Sequence, residues 1–593
     1  MARAPMISRK IAAVVLFAAI AAASACGRAP AAPPTESARI ALRERVGPGG
    51  TKAPIYCRRD RVCGSDVLPD FYRARDFRPA WIDDGLGLGN ARSFLAALRL
   101  VAADGLDPAN YHLAALDSLI GEIDDSGKKG PRGVRPEALA DLEMLLTDSF
   151  LLCGSHLVRG QVNPETIQSE WFIKGRIEDL AAALEKGLAA NDMPGALDSL
   201  RPGYSIYSGL RMAYREYTDL AAAGGWPDFP PGRKLVKGDR DARVEILRQT
   251  LLAMGDLPRM EMEAVVDPEL FDDGLEGAVK RFQRRHGLEL DGVIGAGTAS
   301  ALGISAAERL KQIRANLERW RWITQDLGER YILVNVADYR VGVYEAGREI
   351  MSMPAVVGRA YRQTPDFSGR MTSITVNPAW HVPPRLARED ILPKVRKDQT
   401  YLTKNGFRIF ENWSEGAREI DPAAVDWAAV SEKGLSYKFR QDPGPHNSLG
   451  RLMFLFPNKF DVYIHDTPER QLFIRAARDL SSGCIRVQRP LDLAAYALCD
   501  DPVWTKEKIE EAIAGGETKV IRMRYPLGVH ILYWTTWLGE DGRTQFRQDI
   551  YLRDAALVRA MDDRAGASAR YGRPPAARSP SQRVNMGSPA SKS

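Results

Sequence analysis

The chain is short of the residues that usually mark a reactive site. Its 593 residues include six cysteines and seven histidines, with no C-x-x-C and no H-E-x-x-H. A zinc site is therefore not expected, and neither is any other metal or cofactor. No G-x-S-x-G occurs. One S-x-x-K, Ser126 to Lys129, sits in the polar loop "DDSGKKGP" without S-D-N or K-T-G elsewhere, which leaves a serine nucleophile unsupported. Excess charge of one sign is missing too. The 82 basic and 76 acidic side chains leave +6, and no basic stripe interleaves with aromatics, so nucleic acid is not an expected partner.

Long apolar runs are confined to the N-terminus. Arg9 and Lys10 precede "IAAVVLFAAIAAA", and small residues, "SAC", follow. A positive end, a short apolar segment and small residues read as a secretory signal over 1–26. The run falls short of the ~20 apolar residues that cross a bilayer. The chain is thus expected to be exported, to the periplasm or cell envelope. "ASAC" admits two processing routes, lipidation of Cys26 or cleavage after Ala25. Membrane contact is expected only through such an anchor at Cys26.

Export permits disulfides. Cys57 and Cys63, in the polar stretch "YCRRDRVCG", read either as a local bridge or as two free thiols. Cys153 lies in the apolar helical pattern "LLTDSFLLCGSHL" and Cys499 follows "LDLAAYAL", so both read as packing residues. Cys484 remains, in a Ser/Gly turn where nothing structural calls for sulfur.

At this length several cores are required, about 100–200 residues each. Residues 27–65, rich in Pro, Ala and Gly at their start, read as a linker. Residues 66–233 carry apolar residues at helical spacing. A compact unit over 234–303 holds an amphipathic helix in which Leu275, Val279 and Phe282 share a face, with glycines 287, 292 and 295 at its turns. A connecting helix spans 304–330. From 331 the period changes to two, in "RYILVNVADYRVGVYEAGREIMSMPAVVG", with a turn at Ala346-Gly347. Further strands are expected near 371–377, 451–456 and 461–465, and a last pair from His530 turns at Glu540-Asp541-Gly542. A Pro- and charge-rich insertion at about 378–450 is long enough to cap the sheet. Residues 558–593, rich in Ser, Pro, Ala and Arg, should be disordered.

The reactive constellation lies in "IHDTPERQLFIRAARDLSSGCIRV", where Cys484 follows His465 by 19 positions (484 − 465). A thiol attacks a carbonyl as thiolate, and a histidine within reach supplies the base. Strand alternation in "DVYIH" sets Val462 and Ile464 on one face, Tyr463 and His465 on the other. Gly483 and Cys484 then offer backbone amides to an oxyanion. On spacing alone, the alternative is two unrelated residues. His112, His156, His286, His381, His446 and His530 read as structural or surface.

"YIHDTP" followed by "SSGCIRV" resembles the L,D-transpeptidase (YkuD) catalytic domain. "AVKRFQRRHGLELDGVIGAGTASAL" resembles the peptidoglycan-binding type 1 module. "NPAWHVPPRLAREDILPK", "RQDPGPHNSLGRLMFLFPN" and "YWTTW…GRTQFRQDIY" resemble the larger branch of the family. The resemblance implies an α+β multidomain chain: a helical scaffold, a three-helix peptidoglycan-binding module over 234–303, and a mainly antiparallel β catalytic domain over 331–557 with a capping insertion. It also implies Cys484 as nucleophile and His465 as acid and base, with peptidoglycan tetrapeptide stems as donor and acceptor. Gly483 and Ser482 would support the oxyanion turn, while Tyr463 and Arg486 would face the substrate. Ser482 stands where many members have histidine, which leaves it as a hydrogen-bond partner. A hydrolase using the same acyl-enzyme, and a wall-binding protein with an idle cysteine, are the competing readings.

Overall fold

Apolar side chains recur at helical spacing through the first half of the chain, and helices form there. The computed structural model describes residues 32–47, 55–57, 60–64, 67–128, 130, 133–167, 173, 175–324, 326–431 and 435–565. The expected export signal, Cys26 and most of the expected tail lie outside these residues. Among the described residues no helix is long and apolar enough to cross a membrane.

The helix Pro136–Arg159 is the axis of the N-terminal layer. It is apolar on nearly every side and almost wholly buried, as an all-round apolar helix must be. Pro34–Val46, Leu68–Ala74, Leu113–Gly127 and Leu180–Ala190 pack against it. Its buried carboxylates serve neighbouring loops. Glu143 accepts the amides of Ala80, Trp81 and Ile82 at 2.7, 2.8 and 3.1 Å. Desolvation nevertheless pushes its carboxyl up to about 7.

Pro34–Val46 corrects the reading of 27–65 as a linker. Pro34 stands at the first helical position, where its missing N–H is not needed, and Ala38, Ala41, Leu42 and Val46 are buried. A hairpin follows, Tyr56–Cys57 with Asp60–Arg61. Its register sets Cys57 opposite Asp60, and Cys57 and Cys63 are both free thiols, so no local bridge forms.

Helices Arg243–Ala253, Asp273–Arg285 and Ala296–Leu302 enclose a second core containing Leu275, Val279 and Phe282. Buried Arg285 pairs with Asp256 at 2.6 Å and donates to the Thr544 carbonyl at 3.1 Å, which ties this module to the C-terminal region.

Helix Ala306–Arg321 is an internal strut. Its Trp320, with Trp322 just beyond, shares a core with Tyr207, Tyr331, Trp534, Leu557 and Met561. The last two belong to helix Arg553–Ala565, which carries folded chain past residue 558, where disorder was expected. Leu557 and Met561 are four residues apart and so face the same way.

Nine strands form the main C-terminal sheet: β1 (Arg330–Asn335), β2 (Arg340–Glu345), β3 (Arg348–Gly358), β4 (Phe367–Val376), β5 (Leu452–Leu455), β6 (Ile464–His465), β7 (Asp479–Ser481), β8 (Ile485–Val487) and β9 (Lys519–Leu532). Their spatial order is β7-β3-β8-β6-β5-β4-β9-β1-β2. Because β2 also pairs with β3, every strand except β7 belongs to a closed ring. The pairs β6–β8, β7–β3 and β9–β1 are parallel; the others are antiparallel. His530 therefore lies inside a long strand parallel to β1, and the expected last hairpin is confined to Thr536–Leu538 and Thr544–Phe546. Between β4 and β5 the insertion builds its own core around Val382, Leu392, Phe407, Trp427 and Phe439, beside a separate four-stranded sheet.

Candidate active site

Short strands β6 and β8 carry the two residues of interest. Their parallel register pairs Ile464 with Ile485 and His465 with Arg486. Ile464 and Ile485 are both in the sheet's core, so His465 and Arg486 face the opposite way. Cys484 immediately precedes Ile485, and the Tyr463 backbone and the Arg486 charge both act on its sulfur. Val462 is buried with Ile464, and half-buried Tyr463 lies beside Cys484, which helps to raise its phenol above the ordinary range after burial.

His465 is buried, and its Nδ1 lies 2.6 Å from the Asp466 carbonyl oxygen. Donation there fixes the proton on Nδ1 and leaves Nε2 as the basic nitrogen. Burial and then the Arg486 guanidinium hold the imidazole neutral, lowering it to about 3 against the Asp466 and Leu449 carbonyls. Burial pushes the Cys484 thiol up to about 11, while the Tyr463 amide and Arg486 favour its thiolate. The resting pair is therefore thiol and neutral imidazole. The thiol points to the Asp461 carbonyl at 3.8 Å, and the two side chains are not hydrogen-bonded to each other.

The turn before Cys484 is braced from three directions. Gly483 has φ +117°, a conformation that requires glycine. Its carbonyl accepts from Thr364 Oγ1 at 2.8 Å, and the Ser481 carbonyl accepts from the Arg359 amide at 3.1 Å. Ser481 Oγ donates to the Cys484 carbonyl at 2.6 Å. That hydroxyl also accepts the Gly483 amide at 3.1 Å, so the expectation of Gly483 as a free oxyanion donor is corrected. The Cys484 amide has no hydrogen-bond partner among the described residues.

Ser482 also differs from expectation. Its Oγ accepts from Arg362 Nη1 at 2.7 Å and does not meet His465. Arg362 is buried and reaches Asp390 through both terminal nitrogens at 2.6 and 3.0 Å, and Glu389 at 2.5 Å. Both acids belong to the capping insertion. Arg362 was missed in the sequence because nothing in "GRAYRQTPDF" separates it from Arg359. Arg486, expected at a substrate carboxylate, is ion-paired with Glu469. A hollow of about 250 Å³ lined by Arg330, Arg370, Asp500 and Tyr525, among others, contains none of these residues.

Three segments of the chain match known protein families. Residues 329–505 match the family described as "L,D-transpeptidase catalytic domain" (YkuD), residues 240–302 a "Putative peptidoglycan binding domain" and residues 66–213 a "Scaffold domain". The "Putative L,D-transpeptidase" of Haemophilus influenzae is 35% identical over 226 residues, 38% of this chain and 45% of that protein. The chain thus spans less than half the length of that relative. "N-acetylmuramoyl-L-alanine amidase CwlM" of Mycobacterium tuberculosis is 41% identical over 80 residues, 13% of this chain and 20% of that protein. The crystal structure of an L,D-transpeptidase from Xylanimonas cellulosilytica aligns over 51% of this chain and 99% of its own, at 14% identity and a TM-score of 0.15. The chain thus carries an L,D-transpeptidase (YkuD) catalytic domain, preceded by a helical scaffold domain and a peptidoglycan-binding module.

Proposed function

We propose that the protein is an exported L,D-transpeptidase that forms 3→3 cross-links in peptidoglycan through an acyl-enzyme on Cys484. The observation that supports this reading is the parallel pairing of β6 with β8, which sets His465 beside Arg486 and brings the Arg486 charge to bear on both His465 and Cys484. Cys484 gives its proton to Nε2 of His465 and attacks the carbonyl joining the third stem residue, a diamino acid, to D-Ala. The C–N bond breaks and the D-Ala amine leaves with the proton returned by His465. A thioester remains. The side-chain amine of a second stem then attacks it, His465 takes the amine's proton, and Cys484 is released.

The resting pair favours the neutral forms, so proton transfer belongs to the complex, where catalytic hydrogen bonds tighten. The Cys484 amide is the oxyanion donor nearest the new bond; losing one such donor costs roughly 3–4 kcal/mol in other enzymes. The capping insertion would limit water at the thioester and so favour the amine over hydrolysis.

Incubating the purified chain with tetrapeptide-containing muropeptides tests the proposal. Cross-linked dimers together with free D-Ala are expected, and the Cys484→Ala variant should yield neither. Tripeptides without dimers would replace the transpeptidase with a hydrolase. Parental activity in Cys484→Ala would remove the acyl-enzyme altogether.

A further inference from the structure

A second sulfur-containing cluster lies in the helical scaffold, where the reaction makes no use of it. Cys63 Sγ, a His112 ring nitrogen and an Asp148 carboxylate oxygen all lie within 4.8 Å of one another. Each comes from a different element. Cys63 follows the hairpin, His112 sits between two helical segments in a left-handed conformation (φ 56°), and Asp148 is wholly buried in Pro136–Arg159. Asp148 is oriented by the amides of Cys63 at 3.0 Å and Gly64 at 2.6 Å, which hold its carboxylate towards the sulfur.

The histidine carries an independent sign. Its Nε2 faces Asp148 Oδ2 at 2.8 Å, while Nδ1 faces the partly exposed Asp60 carboxylate at 3.5 Å. A metal-ligating histidine typically donates its other ring N–H to a carboxylate in this way, which fixes the tautomer. The competing structure is an imidazolium bridging two carboxylates, and these carboxylates do favour protonation of His112. That bridge gives no role to a thiol brought within ligand reach.

We propose that Cys63, His112 and Asp148 bind a borderline-soft divalent cation, Zn²⁺ first among them, with the fourth position taken by water. Thiolate, imidazole and carboxylate together are a zinc donor set. Tetrahedral bonds of about 2.0–2.3 Å put ligand atoms roughly 3.3–3.5 Å apart, so on loading His112 Nε2 and Asp148 Oδ2, now 2.8 Å apart, separate slightly and the sulfur, within 4.8 Å of both, settles to that spacing. Loading releases the Cys63 thiol proton, and the His112 Nε2 proton where one is present, to solvent. The bound ion would fasten the hairpin to the axial helix.

The test uses the reduced, chelator-treated full chain, with Zn²⁺ alone as ligand and Co²⁺ as spectroscopic reporter. About one equivalent of zinc should survive desalting, protons should be released on loading, and the melting temperature should rise with zinc concentration. Co²⁺ should give a thiolate charge-transfer band that persists in Cys484→Ser and vanishes in Cys63→Ser. Asp60→Asn, at a more exposed site, should fold normally and weaken affinity by roughly 10–100-fold. Absence of retained zinc, an unchanged cobalt band in Cys63→Ser, or a Cys57–Cys63 disulfide in the isolated protein would each overturn the proposal.

Discussion

A single nitrogen of Arg362, Nη1, donates to Ser482 Oγ at 2.7 Å and to Asp390 Oδ2 at 2.6 Å. One buried guanidinium thereby joins the turn before Cys484 to the insertion between β4 and β5. Lysine has the charge but not the planar fork. In Arg362→Lys, kcat should fall roughly 10–100-fold, the scale that small misplacement of reacting groups produces. KM for the donor should change less, and far-UV circular dichroism should be unchanged. Asp390→Asn should be milder, since Glu389 remains. A parental kcat in Arg362→Lys would rule out this positioning role.

The neutral resting pair makes a prediction about pH. The Cys484 thiol is raised to about 11, so its thiolate fraction grows as pH climbs towards that value. Its alkylation by iodoacetamide in the free enzyme should keep accelerating above pH 8. His465 is lowered to about 3, so no imidazolium is available to assist near neutrality. A rate plateau between pH 6 and 8 would instead reveal a preformed thiolate–imidazolium pair.

Gly450 governs the imidazole indirectly. It has φ +64°, and a Cβ there would meet the Asp466 side chain at 2.4 Å. Asp466 also supplies the carbonyl that receives His465 Nδ1. Gly450→Ala should lower both stability and kcat. Gly416→Ala is the control: φ is +80° but the space is open, so about 1–2 kcal/mol of backbone strain should leave kcat intact. Equal kcat losses in the two variants would contradict the link through Asp466.

Met561 lies in a stretch whose composition reads as tail, yet it is 1% exposed among Trp320, Trp322 and Trp534. Met561→Ala should destabilise the protein by about 2–5 kcal/mol in chemical denaturation. A change within error would mean that the C-terminal helix is not packed.

What was legible in the sequence was what depends on neighbours along the chain. The alternation of Val462, Tyr463, Ile464 and His465 reports its own two faces, and Ala346-Gly347 is a hairpin turn because both residues take positive φ. The helix Pro34–Val46 was hidden because its starting proline belongs equally to linkers. Arg362, the spent Gly483 amide and the meeting of Cys63 with Asp148 depend on contacts 120, 2 and 85 residues away. The first and last are set by tertiary packing. The second was missed because Ser481 reads as an ordinary small residue until its hydroxyl is seen folded back.

Strand β9 has a topological consequence. It is wedged between β4 and β1, yet it begins at Lys519, past the end of the matched catalytic stretch at 505. A polypeptide halted at 505 would leave two facing strands with bare backbone edges and an open ring. Such edges invite intermolecular pairing, so trimming this enzyme to its family boundaries would convert a closed barrel-like wall into an adhesive seam.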